Sequence, residues 1–190
     1  MKKTLLAGTI ALLMAAGCGN ESSHTSTSGS TSSSGKPALK APAFDADSAF
    51  EFTAQQVKFG PRVPNSTAHK QCADWMASKM EEFCDTVIVQ SYRVKAFDGK
   101  MLDSRNIIAS FHPDLGNRIL LCAHWDTRPW ADQDSVRKNE PIDGANDGAS
   151  GVGILMEVAR QLSVSRPNLG VDIIFFDAED YGQPDDSELP

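Results

Sequence analysis

The stretch Arg118-Ile119-Leu120-Leu121-Cys122-Ala123-His124-Trp125-Asp126 decides the fold. Its first half is short and continuously apolar, which predicts a central β-strand covered on both faces, with Cys122 as a buried thiol. Its second half turns polar at His124 and Asp126, so side chains able to do chemistry stand where the strand ends. In an open α/β sheet, ligand sites lie at that end of the strands. Downstream, Asp143-Gly144-Ala145-Asn146-Asp147-Gly148-Ala149-Ser150-Gly151 is a glycine-rich approach to a helix over 145–162, and residues 171–176 form a second buried strand. Strand, loop, helix and strand in this order predict an α/β domain whose sheet is mixed or mostly parallel, with helices on both sides.

Working outward, Asp45 or Asp47 can cap a helix ending near Lys58, with Phe50, Phe52 and Val57 as its apolar contacts, before Gly60-Pro61 stops it. The loop Gly60-Pro61-Arg62-Val63-Pro64-Asn65-Ser66 is stiffened by its two prolines. A second helix over 67–83 carries Cys72, Trp75, Met76, Met80 and Phe83 at spacings of three and four, a stripe that faces a core. Along one continuous helix Cys72 and Cys84 stand about 18 Å apart, beyond the reach of a disulfide. Three β-rich runs follow at 86–94, 106–111 and 118–122, with Asp98-Gly99 as a turn signal between the first two.

The chain opens with Lys2 and Lys3, an apolar run of about twelve residues, and Ala15-Ala16-Gly17-Cys18. That run is shorter than the roughly 20 residues a spanning helix needs. Residues 1–17 therefore read as a signal peptide, and Ala15-Ala16-Gly17-Cys18 resembles the lipobox of bacterial lipoproteins, in which the cysteine is acylated. The expectation is an exported protein anchored to a membrane by lipid at Cys18, facing the periplasm or cell exterior. Residues 18–36 are nearly all small and polar and read as a flexible tether. Residues 37–190 remain as one folded catalytic domain of ordinary size.

The 190 residues hold 18 Lys and Arg against 25 Asp and Glu, a formal charge of −7. No basic surface is available for phosphate backbones, so no nucleic-acid partner is expected. Four cysteines, unevenly spaced, do not make a disulfide framework or a zinc-finger array, so any metal must be held mostly by carboxylate and imidazole.

His124 followed two residues later by Asp126 is a weak signal alone. Asp147 reads either as an N-terminal helix cap, worth about 1 kcal/mol, or as a ligand. Phe175-Phe176-Asp177-Ala178-Glu179-Asp180-Tyr181-Gly182 crowds carboxylates where a buried strand emerges, which is costly unless a cation lies between them or one takes up a proton. A solvated acidic turn is the alternative reading for Asp177 or for one of the pair. Together the three pieces offer ligand types that suit zinc, with a spare carboxylate to act as base.

The runs HWDTRPWAD, GANDGASG and FFDAEDYG, with FGPRVPNS upstream, resemble the M28 metallopeptidase family over about 45–182, and most resemble its bacterial glutaminyl cyclase branch. The resemblance implies a three-layer α/β/α domain of phosphorylase/hydrolase-like fold with a mixed central sheet. It implies zinc-dependent conversion of an N-terminal glutamine of a peptide or protein to pyroglutamate, with release of ammonia. Matched by position, Asp147 and Asp180 are metal ligands and Glu179 is the general acid/base. His124 matches a ligand of the two-metal aminopeptidases but not of single-zinc cyclases. Trp125 or Trp130 is the candidate lining of a substrate pocket. The family's last histidine ligand matches no residue here, so the expectation is a domain incomplete at its C-terminus. His24, His69 and His112 do not fill that place. The alternatives are an M28-type aminopeptidase that uses two zinc ions, or an inactive truncated lipoprotein.

Overall fold

The computed structural model describes residues 41–184, and the expected signal peptide, Cys18 and tether lie outside them. Asp45 caps the first helix, α1 (Ala46–Lys58), by accepting the N–H groups of Asp47 and Ser48 at 3.1 Å each. Phe52 packs edge-on against Phe83, whereas Phe50 is exposed and makes no core contact, contrary to expectation. Ser66 caps α2 (Thr67–Phe83) through the N–H of His69. The α2 stripe buries Cys72, Met76 and Met80 completely, and it begins one turn earlier than its apolar residues suggest, with buried His69.

Strands β1 (Thr86–Lys95) and β2 (Met101–Phe111) form an antiparallel hairpin closed at Asp98-Gly99, where Gly99 takes a φ of 84°. Strand β3 (Arg118–His124), the kinked turn 145–150, α3 (Gly151–Val164) and β4 (Gly170–Phe176) form a βαβ unit. The sheet order is β1-β2-β4-β3. Only β3 and β4 pair in parallel, while β2 pairs antiparallel with both β1 and β4. The sheet is mixed as expected, but among the described residues it is not mostly parallel. The hairpin connection forces one antiparallel pair, and the return of β4 beside β2 adds another.

One face of this sheet presents Ile107, Ala109 and Phe111 from β2 and Val171, Ile173 and Phe175 from β4. These pack against Met76 and Met80 of α2 and Val152 and Met156 of α3 in one core. Side chains alternate along a strand, so Ile88, Leu120, Cys122 and Phe176 point to the other face, where they are exposed. Among the described residues the helices thus cover one face, giving two of the three expected layers. Among the described residues, strand β3 has β4 as its one neighbour, and Cys122 is exposed. An unbroken apolar run does not say on which side of a strand its neighbours lie.

Cys72, Cys84 and Cys122 are free thiols. Burial pushes the thiols of Cys72 and Cys84 up to about 12. Alkylation of the native chain at about pH 8, mapped by mass spectrometry, should therefore modify Cys122 and spare Cys72 and Cys84 until unfolding. Rapid native modification of Cys72 would contradict this packing.

Candidate active site

Parallel pairing sets His124 beside Phe176, so β3 and β4 release their chains at the same edge of the sheet. There the 125–144 loop, the 145–150 turn and the segment after Phe176 converge. Trp125 donates its backbone N–H to Phe176 O at 3.0 Å, so the two strand exits stay together for one residue beyond the ladder. Asp126 is fully buried. Its Oδ1 accepts the N–H of Glu179 at 3.2 Å and its Oδ2 that of Asp180 at 3.0 Å. One carboxylate thus fixes the backbone that carries two others.

Arg62 fixes the opposite wall. Its guanidinium, also fully buried, donates to Trp125 O at 3.1 Å, Asp143 O at 2.8 Å and Gly144 O at 2.8 Å. The planar fork spreads its donors over three nitrogens, Nε, Nη1 and Nη2, and so reaches three separate carbonyls, whereas a lysine would offer one nitrogen. Gly144 has a φ of 58°, and a Cβ there would stand 2.3 Å from Thr127 Cγ2 and 2.8 Å from Arg62 Nη2. Gly148 has a φ of 94°, and a Cβ there would press on Asp126 O at 3.0 Å. These two glycines let the 145–150 turn lie directly against the β3 exit. The helix proper begins at Gly151, later than the spacing predicts, because Asp147 and Gly148 leave helical geometry.

Asp147 therefore does not cap α3. Its carboxylate lies 2.9 Å from His124 Nε2. On the other ring edge, His124 Nδ1 is 3.6 Å from Asp126 and 3.7 Å from Glu179 Oε2. The imidazole is held up to about 9, chiefly by Asp126, with Asp147 and Glu179 adding to it. Asp180 is pushed up to about 6, first by burial and then by the charges of Asp147 and Asp126. Its Oδ2 is buried without a hydrogen-bond partner. The arrangement gathers anions faster than it pairs them, a condition that a cation would relieve. Among the described residues, however, no three His, Cys, Asp or Glu side chains already converge at coordinating distance. The side chain of Glu179 is 64% exposed, a position suited to exchanging protons with a bound molecule.

A cavity of about 520 Å3 adjoins Asp147 and is lined by Arg128, Trp130, Arg137, Ile142 and Asp143, among others. Trp130 stands at its wall, in edge contact with Tyr181 (5.4 Å between ring centroids) and Phe97 (5.8 Å). Trp125 is a different case. It is fully buried, stacks on His69 at 4.4 Å and donates Nε1–H to Arg105 O, so it is a core residue and stands outside the cavity beside Asp147. A tryptophan one residue past a strand end continues the strand's inward alternation. Sequence reading gave Arg62 no role and set His69 aside. The signal for His69 was its place three and four residues before Cys72 and Ala73 on the buried stripe. Asp177, read as open to solvent, is buried and bonds to His69 at 2.9 Å.

Residues 106–184 match Peptidase family M28. A Bacteroides thetaiotaomicron glutaminyl cyclase, solved with N-acetylhistamine, is 52% identical, with a TM-score of 0.77 over 78% of this chain and 52% of its own. A Zn-dependent exopeptidase from Parabacteroides distasonis is also 52% identical, with a TM-score of 0.75 over 77% of this chain and 51% of its own. The glutaminyl-peptide cyclotransferase of Bos taurus is 30% identical over 122 residues, 57% of this chain and 28% of that protein. The chain thus spans about half the length of the two bacterial structures.

The charges make a signed prediction for the chain with divalent cations removed. His124 gains its proton more readily folded than unfolded, so its contribution is full below about pH 6.5 and fades as the pH rises through about 9. Ionising Asp180 costs stability between its ordinary value of 3.8 and about 6. Relative to Asp180→Asn, the urea midpoint of the unchanged chain should therefore fall from pH 4 to 6, since the carboxylates held low elsewhere, such as Asp45, Asp85 and Asp172, contribute equally to both. An equal change in the variant would contradict the placement of Asp180.

Proposed function

From the match of residues 106–184 to Peptidase family M28 and the 52% identity to a bacterial glutaminyl cyclase, we propose that this chain carries the acid/base and metal-facing half of a zinc-dependent glutaminyl-peptide cyclotransferase. The observation that carries this reading is that Asp147 and Glu179 stand 2.9 and 3.7 Å from His124, with Asp180 fixed beside Glu179 by Asp126, in a chain 52% identical to a glutaminyl cyclase. The donors fit zinc in kind: Asp180 offers a buried oxygen with no other partner, Asp147 an exposed carboxylate, and His124 an imidazole beside it. Asp147 and Asp180 would hold the ion. When bound, it would polarise the γ-carbonyl of an N-terminal glutamine.

Glu179 does the proton work. It accepts a proton at its carboxylate as the α-amine attacks the γ-carbon, and it returns that proton to the departing ammonia. One C–N bond forms, another breaks, and no water is consumed. Asp126, by holding the backbone N–H groups of Glu179 and Asp180, keeps base and ligand at fixed spacing. The cavity beside Asp147, with Trp130 at its wall, would take the side chain and peptide that follow. The substrates are N-termini of peptides or proteins. From the lipobox-like Ala15-Ala16-Gly17-Cys18 we further propose export and a lipid anchor at Cys18, with substrates outside the cytoplasm.

A second reading, an exopeptidase with two zinc ions, is favoured by one contact. His124 touches Asp147, the carboxylate that two ions would share. There Glu179 would activate a water against the first peptide bond.

Products separate the readings. Ammonia released from a glutaminyl peptide with no free amino acid supports cyclisation, whereas free amino acids would overturn it in favour of the exopeptidase. Glu179→Gln should lower the rate by roughly 10²- to 10⁴-fold while zinc affinity is kept. An unchanged rate would remove Glu179 from the mechanism.

A further inference from the structure

His69 and Asp177 take no part in the chemistry above, yet both are buried beneath it. We propose that His69 is a positioning residue which, through Asp177, holds a left-handed turn at Ala178 and so fixes where Glu179 and Asp180 point. The proposal rests on the reading of Glu179 and Asp180 as the working carboxylates.

The contacts run in one direction. His69 Nε2 lies 2.9 Å from each carboxylate oxygen of Asp177. A carboxylate accepts, so Nε2 carries the hydrogen. Nδ1 is buried without a partner, as suits the ring nitrogen that bears none. The imidazole has little room to swing, because it stacks on Trp125 at 4.4 Å and 20° between ring planes. Thus oriented, Asp177 Oδ2 accepts the N–H of Arg105 at 2.6 Å and Oδ1 that of Ala178 at 2.7 Å. The Asp177 backbone is fixed as well, its N–H donated to Asn106 Oδ1 and its carbonyl accepting Tyr92 Oη–H.

Ala178 has a φ of 62°, in the left-handed region that an L-alanine avoids. Strained backbone persists only where its surroundings over-determine it. Here the hydrogen bond to Asp177 supplies that constraint on one side, and Asp126 supplies it on the other by taking the next two N–H groups. The turn at Ala178 is what brings those N–H groups round to Asp126. Removing His69 frees the Asp177 carboxylate to rotate and releases the turn.

Amide hydrogen exchange on the full chain, without zinc or substrate, reads this directly. His69→Leu, which fills similar space but donates nothing, should speed exchange at the Glu179 and Asp180 amides by about tenfold or more. His69→Gln, which keeps a donor at similar reach, should stay within about threefold of wild type. In an Ala178→Gly background, where the left-handed turn needs no enforcement, the effect of His69→Leu should shrink to less than about threefold. Equal exchange in the Leu and Gln variants, or an undiminished effect in the glycine background, would overturn the proposal and leave His69 as core packing. If His69→Leu does not fold, His69→Asn, too short to reach Asp177, replaces it with the same expectations. Free amino acids released in place of ammonia would refute the proposed function, while the exchange data would still decide the role of His69.

Discussion

The buried carboxylate of Asp126 is the joint on which the site depends. It projects from the exit of β3 and takes two N–H groups from the exit of β4, so it ties together strands adjacent in space but separated by a loop, a kinked turn and a helix. A charge in the interior is tolerable only when hydrogen bonds replace the water it has lost. Asp126 takes its share from the Glu179 and Asp180 backbone. Arg62 completes the frame from outside the βαβ unit, gripping the carbonyls of Trp125, Asp143 and Gly144. The loop before α2, distant in sequence from every acidic motif, thus acts as the floor of the site.

That frame explains how the chain can hold Asp126, Asp147, Glu179 and Asp180 so close together. Backbone donors hold the buried Asp126 in place, while Asp147 lines the cavity, Glu179 is exposed and Asp180 keeps one buried oxygen without a partner. The elevated proton affinity of Asp180 comes first from burial and then from the charges of Asp147 and Asp126, and that of His124 chiefly from Asp126, so the site combines lost solvation with an excess of negative charge. A divalent cation would answer that excess, and Glu179, exposed at the edge, would remain free for proton transfer.

Much of this was legible in the sequence because it follows from local pattern. The α2 stripe, the hairpin at Asp98-Gly99 and the polar residues at two strand ends are all set by neighbours within a few positions. The site's anchoring was less legible. Arg62 bonds to residues more than 60 positions away, and His69 meets Asp177 across 108. Neither distance leaves a local trace. The apolar run of β3 records that both its faces and both its edges can be covered, but among the described residues only β4 stands beside it. Trp125 was misread because its motif suggested a pocket, whereas its position one residue beyond β3 sends it inward.

The claim at the centre is that Asp147 and Asp180 face one shared cation position. Zinc titration of the full chain, followed by the carboxyl carbon resonances of aspartate, tests it most directly. The account predicts that the Asp147 and Asp180 signals shift together with one binding curve, and that Asp147→Asn or Asp180→Asn weakens binding by about tenfold or more. Shifts confined to other carboxylates, or zinc affinity unchanged in both variants, would contradict it.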